Sequence, residues 1–232
     1  MPPVNHNKIF EGIKNQVRSI TYSAVITTLR INLTDLKNDV NVISILDNQN
    51  VKIYEFGDSG ILLFYLDNIP DTEVWRESVR ASVKLGVKKF LFIGHGKTVG
   101  GSSNFVGSII TDHINVSGDN PLIGKNCGSF GVRFPDMSNL YDSELIQRIK
   151  NASLMTGIQL NKGILLIPLK VEQRTELEKE VIDRGNITAI SNDVYAGAIT
   201  AKHAGCKSAG VIFFREYLNI NIIDFARETL VS

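Results

Sequence analysis

Residues 112–137 read DHINVSGDNPLIGKNCGSFGVRFPDM. The stretch is too polar and glycine-rich for a core strand and too long for a turn. A loop of this length without a periodicity of its own is uncommon inside a compact domain, and usually functional when it occurs. The framework that carries it has to be read from the segments on either side.

Upstream, short apolar runs rich in β-branched residues stand at 23–29 (SAVITTL), 41–46 (NVISIL), 51–56 (VKIYEF) and 60–66 (GILLFYL). Separated by Asn, Asp and Gly, they read as strands joined by tight turns. Val74, Trp75, Val79 and Val83 then mark an amphipathic helix that stops at Gly86. A buried-type strand at 88–96 runs into a glycine loop, and 103–115 is a further strand that enters the long loop. Downstream, a helix over 143–157 carries Leu145, Ile146, Ile149 and Leu154 on one side. A strand at 163–169, a charged helix at 174–185, a short strand at 187–191, a small-residue helix at 194–205 and a strand at 208–214 complete the pattern. Strands alternating with helices of 10 to 15 residues predict a single α/β domain with a central, largely parallel sheet flanked by helices. Ligands in such a fold sit at the carboxyl ends of the strands.

The bulk composition narrows the function classes. The 232 residues are 43% hydrophobic and 21% charged, with a net charge of +1. Ordinary globular composition with scattered Lys and Arg gives no basic face, so neither nucleic acid nor an anionic membrane is an expected partner. No apolar run approaches a membrane span, and MPPVNHNKIF has no signal-peptide core. Cys127 and Cys206 offer neither a disulfide framework nor metal-ligand spacing, and no cofactor is implied. Those features point to the cytoplasm. Four N-x-S/T triplets, at Asn32, Asn115, Asn151 and Asn186, keep secretion without a recognisable signal peptide open.

The order and spacing of DHIN (112–115), NPLIG (120–124), RFPDMS (133–138) and YD (141–142) resemble the signature region of trimeric purine nucleoside phosphorylases. The register extends to residues 79–216. The resemblance implies the nucleoside phosphorylase fold, with a central mixed sheet, and a homotrimer assembled through residues 112–137. It also puts Phe130 at the position of an aromatic that caps a neighbouring subunit's nucleoside site. A merely structural loop would explain the same residues.

The resemblance also says where phosphorolysis should be equipped, and the equipment is largely replaced. Phosphate is gripped by backbone N–H groups of glycine loops and by charge-assisted donors. At the family's first glycine loop this chain has TTLRINLTD, with Thr28 nearest the phosphate-binding serine and no glycine. Its Arg- and His-bearing segment corresponds to DNIPDTE, which has neither. The second glycine loop survives as IGHGKTVGG, where Gly94, His95, Gly96 and Lys97 form either a binding turn or a plain one. Ser191, Asn192 and Asp193 stand where the family has Gly-Met-Ser, and an aspartate there repels phosphate. A shift of a residue or two would return Ser191 to the serine position, with the methionine still missing. Glu216 replaces the asparagine that bonds the purine, and an ionised carboxylate cannot donate. Glu172 is the nearest counterpart of the base-binding glutamate, a solvated acid at a helix start being the other reading. The family's long last helix, with its ribose-contacting histidine, finds no room before Ser232.

The expectation is therefore a non-catalytic homologue with a binding, storage or signalling role. It would act through its trimeric surface or a remodelled pocket that takes a nucleoside or another small ligand. An active phosphorylase that cleaves purine nucleosides with phosphate is the alternative.

Overall fold

The structure, a computed structural model, describes residues 5–14, 23–28, 40–46, 51–56, 60–66, 71–99, 104–169, 175–214 and 222–231. Its elements run α1 (His6–Ile13), β1 (Ser23–Thr27), β2 (Val40–Leu46), β3 (Val51–Phe56), β4 (Ile61–Leu66), α2 (Thr72–Lys84), β5 (Lys89–His95) and β6 (Lys97–Thr98). They continue β7 (Gly107–Asn115), α3 (Ser143–Thr156), β8 (Leu160–Ile167), α4 (Glu176–Arg184), β9 (Ile187–Ile190), α5 (Tyr195–His203), β10 (Lys207–Phe213) and α6 (Ile222–Leu230). Among the described residues the strands form one sheet in the order β2-β3-β4-β1-β5-β10-β7-β8-β9-β6.

The sheet is mixed. Its middle is parallel, with β1 lying between β4 and β5 and β10 continuing beyond β5. β2, β3 and β4 form an antiparallel meander, as strands separated by only four residues of sequence should. β10 also runs antiparallel to β7, which in turn leads a second parallel group through β8 to β9.

Alternation along the central strands sends side chains to two cores. Ala24, Ile26, Phe90 and Phe92 face one cluster, with Trp75 and Val79 of α2, Ala198 of α5 and Ile9 and Ile13 of α1. Val25, Leu91 and Ile93 face the other, with Leu145 and Ile149 of α3 and Phe225 and Leu230 of α6. Four consecutive residues of β5, Phe90–Leu91–Phe92–Ile93, are fully buried, as befits a parallel strand covered on both sides. Helix starts are fixed locally. Asp71 accepts from the Val74 N–H at 3.0 Å, and Asp142 from the Leu145 N–H at 3.0 Å. Thr175 and Glu178 form a reciprocal capping box at the start of α4. No helix among the described residues is long and apolar enough to cross a membrane.

Candidate functional site

The parallel pairing of β1 with β5 brings two carboxyl ends side by side, with Thr27 opposite Ile93. Thr28 follows the first strand, and Gly94 and His95 close the second. The connection from β9 to α5 folds over them, and its Asp193 ends the arrangement. One carboxylate oxygen, Oδ2, accepts the Thr28 hydroxyl at 2.7 Å and the His95 backbone N–H at 3.0 Å. The same connection is tied down by Ser191, whose hydroxyl donates to the His95 carbonyl and accepts from the Asp193 N–H at 3.0 Å. Asp193 is buried, and burial pushes its carboxyl up from the ordinary value, against the opposing pull of the His95 and Thr28 hydrogen bonds.

Asp193 is held in position by an unusual backbone. Val194 has φ 76° and ψ −50°, a positive-φ conformation that a β-branched residue rarely adopts. The Tyr195 N–H donates to the Asp193 carbonyl at 2.9 Å, closing a three-residue γ-turn of the rare, strained kind. The Val194 side chain fills the space over two strands that carry glycine. A Cβ at Gly94 would lie 3.1 Å from Val194 Cγ2 and 2.5 Å from Asp193 Cβ. A Cβ at Gly210 would lie 2.6 Å from Val194 Cγ1.

Of the residues the sequence nominated, Thr28, Gly94, His95, Ser191 and Asp193 come together in this corner. Gly96 is packed against the Ile190 carbonyl beside it, while Lys97 and Asn192 are exposed at its edge. Glu172 and Glu216 lie outside the described residues. The Asp193 carboxyl, read from sequence as a repulsive neighbour of phosphate, is hydrogen-bonded to the Thr28 hydroxyl and the His95 amide.

Phe130 is elsewhere, engaged within its own chain. Its ring meets the His6 ring edge-on at 5.3 Å and carries the Arg80 guanidinium over its face at 5.4 Å. Sequence reasoning missed the ionic cluster beneath. Glu77, buried on α2, accepts from the His6 N–H at 2.9 Å, the His6 ring, Arg76 Nε at 2.8 Å and an Arg80 NH group at 3.0 Å. Burial alone would raise its carboxyl. The hydrogen bonds from Arg76 and His6 and the Arg80 charge outweigh that and hold it below the ordinary value. The i,i+3 spacing of Glu77 and Arg80 was the available signal, but α1, which supplies His6, carries too short a pattern to be found.

The long loop is anchored at both ends. Asn115 donates to the Asp119 carbonyl at 2.7 Å and His113 Nδ1 meets the Tyr141 hydroxyl at 3.0 Å. Thr72, at the start of α2, bonds both Asp119 and the Tyr195 hydroxyl. At the other end His203 Nε2 donates to the Val132 carbonyl at 3.1 Å. Gly131 is so close to α5 that a Cβ would stand 2.0 Å from the His203 carbonyl oxygen. Yet Ile123, Val132 and Phe134 of the same loop are 68%, 67% and 87% exposed, an apolar surface on an otherwise well-tied segment. Among the glycosylation triplets, Asn151 and Asn186 are exposed, the Asn115 amide is used inside its loop, and Asn32 lies outside the described residues.

A mixed sheet flanked by helices, with donors converging at the carboxyl ends of its central strands, makes this an α/β protein. The model of the phosphorylase superfamily matches residues 71–225, and the chain belongs to that family. It is 36% identical over 103 residues to purine nucleoside phosphorylase 1 of Bacillus subtilis, covering 44% of this chain and 38% of that protein. Against the purine nucleoside phosphorylase of Rattus norvegicus it is 34% identical over 107 residues, 44% of this chain and 37% of the relative. The matched stretch thus spans little more than a third of these relatives' length. In fold the likeness is wider. The Schistosoma purine nucleoside phosphorylase in complex with guanosine superposes with a TM-score of 0.77 over 98% of this chain and 96% of that one, at 16% identity. The Schistosoma mansoni enzyme in complex with inosine gives 0.74 over 97% and 90%, at 18% identity.

Proposed function

We propose that this chain is a non-catalytic member of the nucleoside phosphorylase family that works as a homotrimer, with a binding, storage or signalling role. The observation that carries the reading is the Asp193 carboxylate, which already holds the Thr28 hydroxyl and the His95 amide. Phosphorolysis needs an anion held against the ribose carbon before charge develops there, by donors fixed in advance. Here the two donors at the strand ends are taken by a carboxyl group of the chain itself. The Arg- and His-bearing segment is missing from the sequence as well. Loss of a single preorganised donor costs ~10²–10³ in rate, and effects of residues acting as a unit do not simply add, so several losses leave no useful turnover.

Assembly is supported by the exposed Ile123, Val132 and Phe134 on a loop otherwise fastened to α2 and α5. A second copy of the chain is the partner that the resemblance implies for this surface. Phe130, engaged by His6 and Arg80, stiffens the loop from behind.

An active purine nucleoside phosphorylase is the second reading, favoured by the retained glycine turn after β5 and by the family match over residues 71–225. A coupled assay with inosine, guanosine, adenosine and uridine at millimolar phosphate separates the two. The expected result is no phosphate-dependent cleavage. Turnover of any of the four near about one per second, within the usual enzyme range, would overturn the proposal. Light scattering at micromolar concentration should give three times the 25.7 kDa chain mass, and a monomer would count against the assembly.

A further inference from the structure

Two donors at the ends of two different strands, the Thr28 hydroxyl after β1 and the His95 N–H of β5, converge on one oxygen atom supplied by the β9–α5 connection. Convergence of that kind is how proteins hold an oxyanion. The carboxylate is buried, and its donors are a neutral hydroxyl and a neutral amide. It is presented by a strained γ-turn at Val194, a conformation that persists only when the surroundings enforce it. Asp193 is buried, and the Gly94 backbone abuts it so closely that a Cβ there would stand 2.5 Å from Asp193 Cβ.

We propose that Asp193 is a specificity-determining residue: its carboxylate is a built-in occupant of an oxyanion corner formed by Thr28 and the His95 amide, and it shuts inorganic phosphate out. The inference rests on the reading of the chain as a non-catalytic family member, and assigns the loss of the anion to one side chain. Exclusion works by occupancy as well as by charge. The corner therefore stays closed when the charge alone is removed, and opens when the side chain is shortened.

The test titrates inorganic phosphate and sulfate into the full chain and into three variants, read by melting temperature and by calorimetry. The wild type should bind neither. Asp193→Asn should also bind neither, because its amide oxygen can still accept both donors. Asp193→Ser and Asp193→Ala should gain phosphate binding, raising the melting temperature by about 3–5 °C at ten times the dissociation constant. Adding Thr28→Val to Asp193→Ser should weaken the gained binding about tenfold, the loss of one hydrogen bond to a charged group. If the shortened variants are too unstable to titrate, phosphate should restore their folding by the same linkage. Phosphate binding by the wild type or the Asn variant, or shortened variants that neither bind phosphate nor are rescued by it, would overturn the proposal. Nucleoside turnover by the wild type would sink the non-catalytic reading instead. An inactive wild type whose Ser variant ignores phosphate would leave that reading standing and remove only this one.

Discussion

Replacing Glu77 by Gln tests whether the cluster on α2 fastens the N-terminal helix and the long loop to the sheet. Glu77 is buried and takes hydrogen bonds from the His6 N–H and ring, Arg76 and Arg80. Gln keeps the shape and one acceptor, but its NH₂ group must face a guanidinium. Arg76 retains Glu73 at 3.1 Å, so its loss is partial. Arg80, whose side chain is 12% exposed and whose Nε already lacks a partner, is left as a buried cation with no acid. Removing one partner of a buried ion pair costs about 3–5 kcal/mol, and the lower end applies because Arg76 stays paired. A loss of about 3 kcal/mol lowers the melting temperature of a chain this long by about 6–12 °C. Differential scanning calorimetry at pH 7 measures it. The sign with pH follows from the depressed carboxyl: its contribution is present above the ordinary value of 4.5 and disappears as pH falls through the lower folded value. The gap between wild type and variant should therefore be full at pH 7 and close in acid. A variant melting within about 2 °C of wild type at pH 7 would refute the assignment.

Gly131→Ala should lift the loop from α5, since its Cβ would stand 2.0 Å from the His203 carbonyl oxygen. The expectation is a loss of about 1–3 kcal/mol in urea unfolding together with a shift from trimer toward monomer in light scattering; an unchanged midpoint would show that the loop docks otherwise. Thr175→Ala removes the capping box of α4 and should cost about 1 kcal/mol by the same measurement. That variant should leave the oligomeric mass untouched.

Local pattern carried most of the sheet. The runs at 41–46, 51–56 and 60–66 fall within a residue of β2, β3 and β4, because short apolar runs between turn formers have few other solutions. Gly157 and Gly185 marked the ends of α3 and α4 correctly. β8 begins three residues before the expected strand, since Asn161 and Lys162 pair with β7 without being apolar. α6 was missed although Ile222, Phe225, Ala226 and Leu230 do recur at helical spacing. The two-residue strand β6 has no period to detect and exists only through its pairing with β9. At the site, sequence could nominate Thr28, His95 and Asp193 but not join them. The first is 165 residues from Asp193 and the second 98, and no local rule relates a hydroxyl, an amide and a carboxylate across such gaps. The hydrogen bonds that join Asp193 to the other two could be seen only in the folded chain. His6 and Glu77, 71 residues apart, were hidden for the same reason.

The γ-turn at Val194 has a consequence for how this chain can change over generations. The two methyl groups of Val194 rest on the backbones of β5 at Gly94 and β10 at Gly210: a Cβ would stand 2.6 Å from one at Gly210 and 3.1 Å from the other at Gly94, where Asp193 Cβ is nearer still at 2.5 Å. Gly210 cannot acquire a side chain while Val194 remains, and at Gly94 Val194 adds to the nearer obstruction by Asp193 and Ile212. The three positions are therefore coupled in descent, although they lie on separate segments of the chain. Drift at one must wait for compensation at another, so relatives that keep a branched residue at 194 should also keep both glycines.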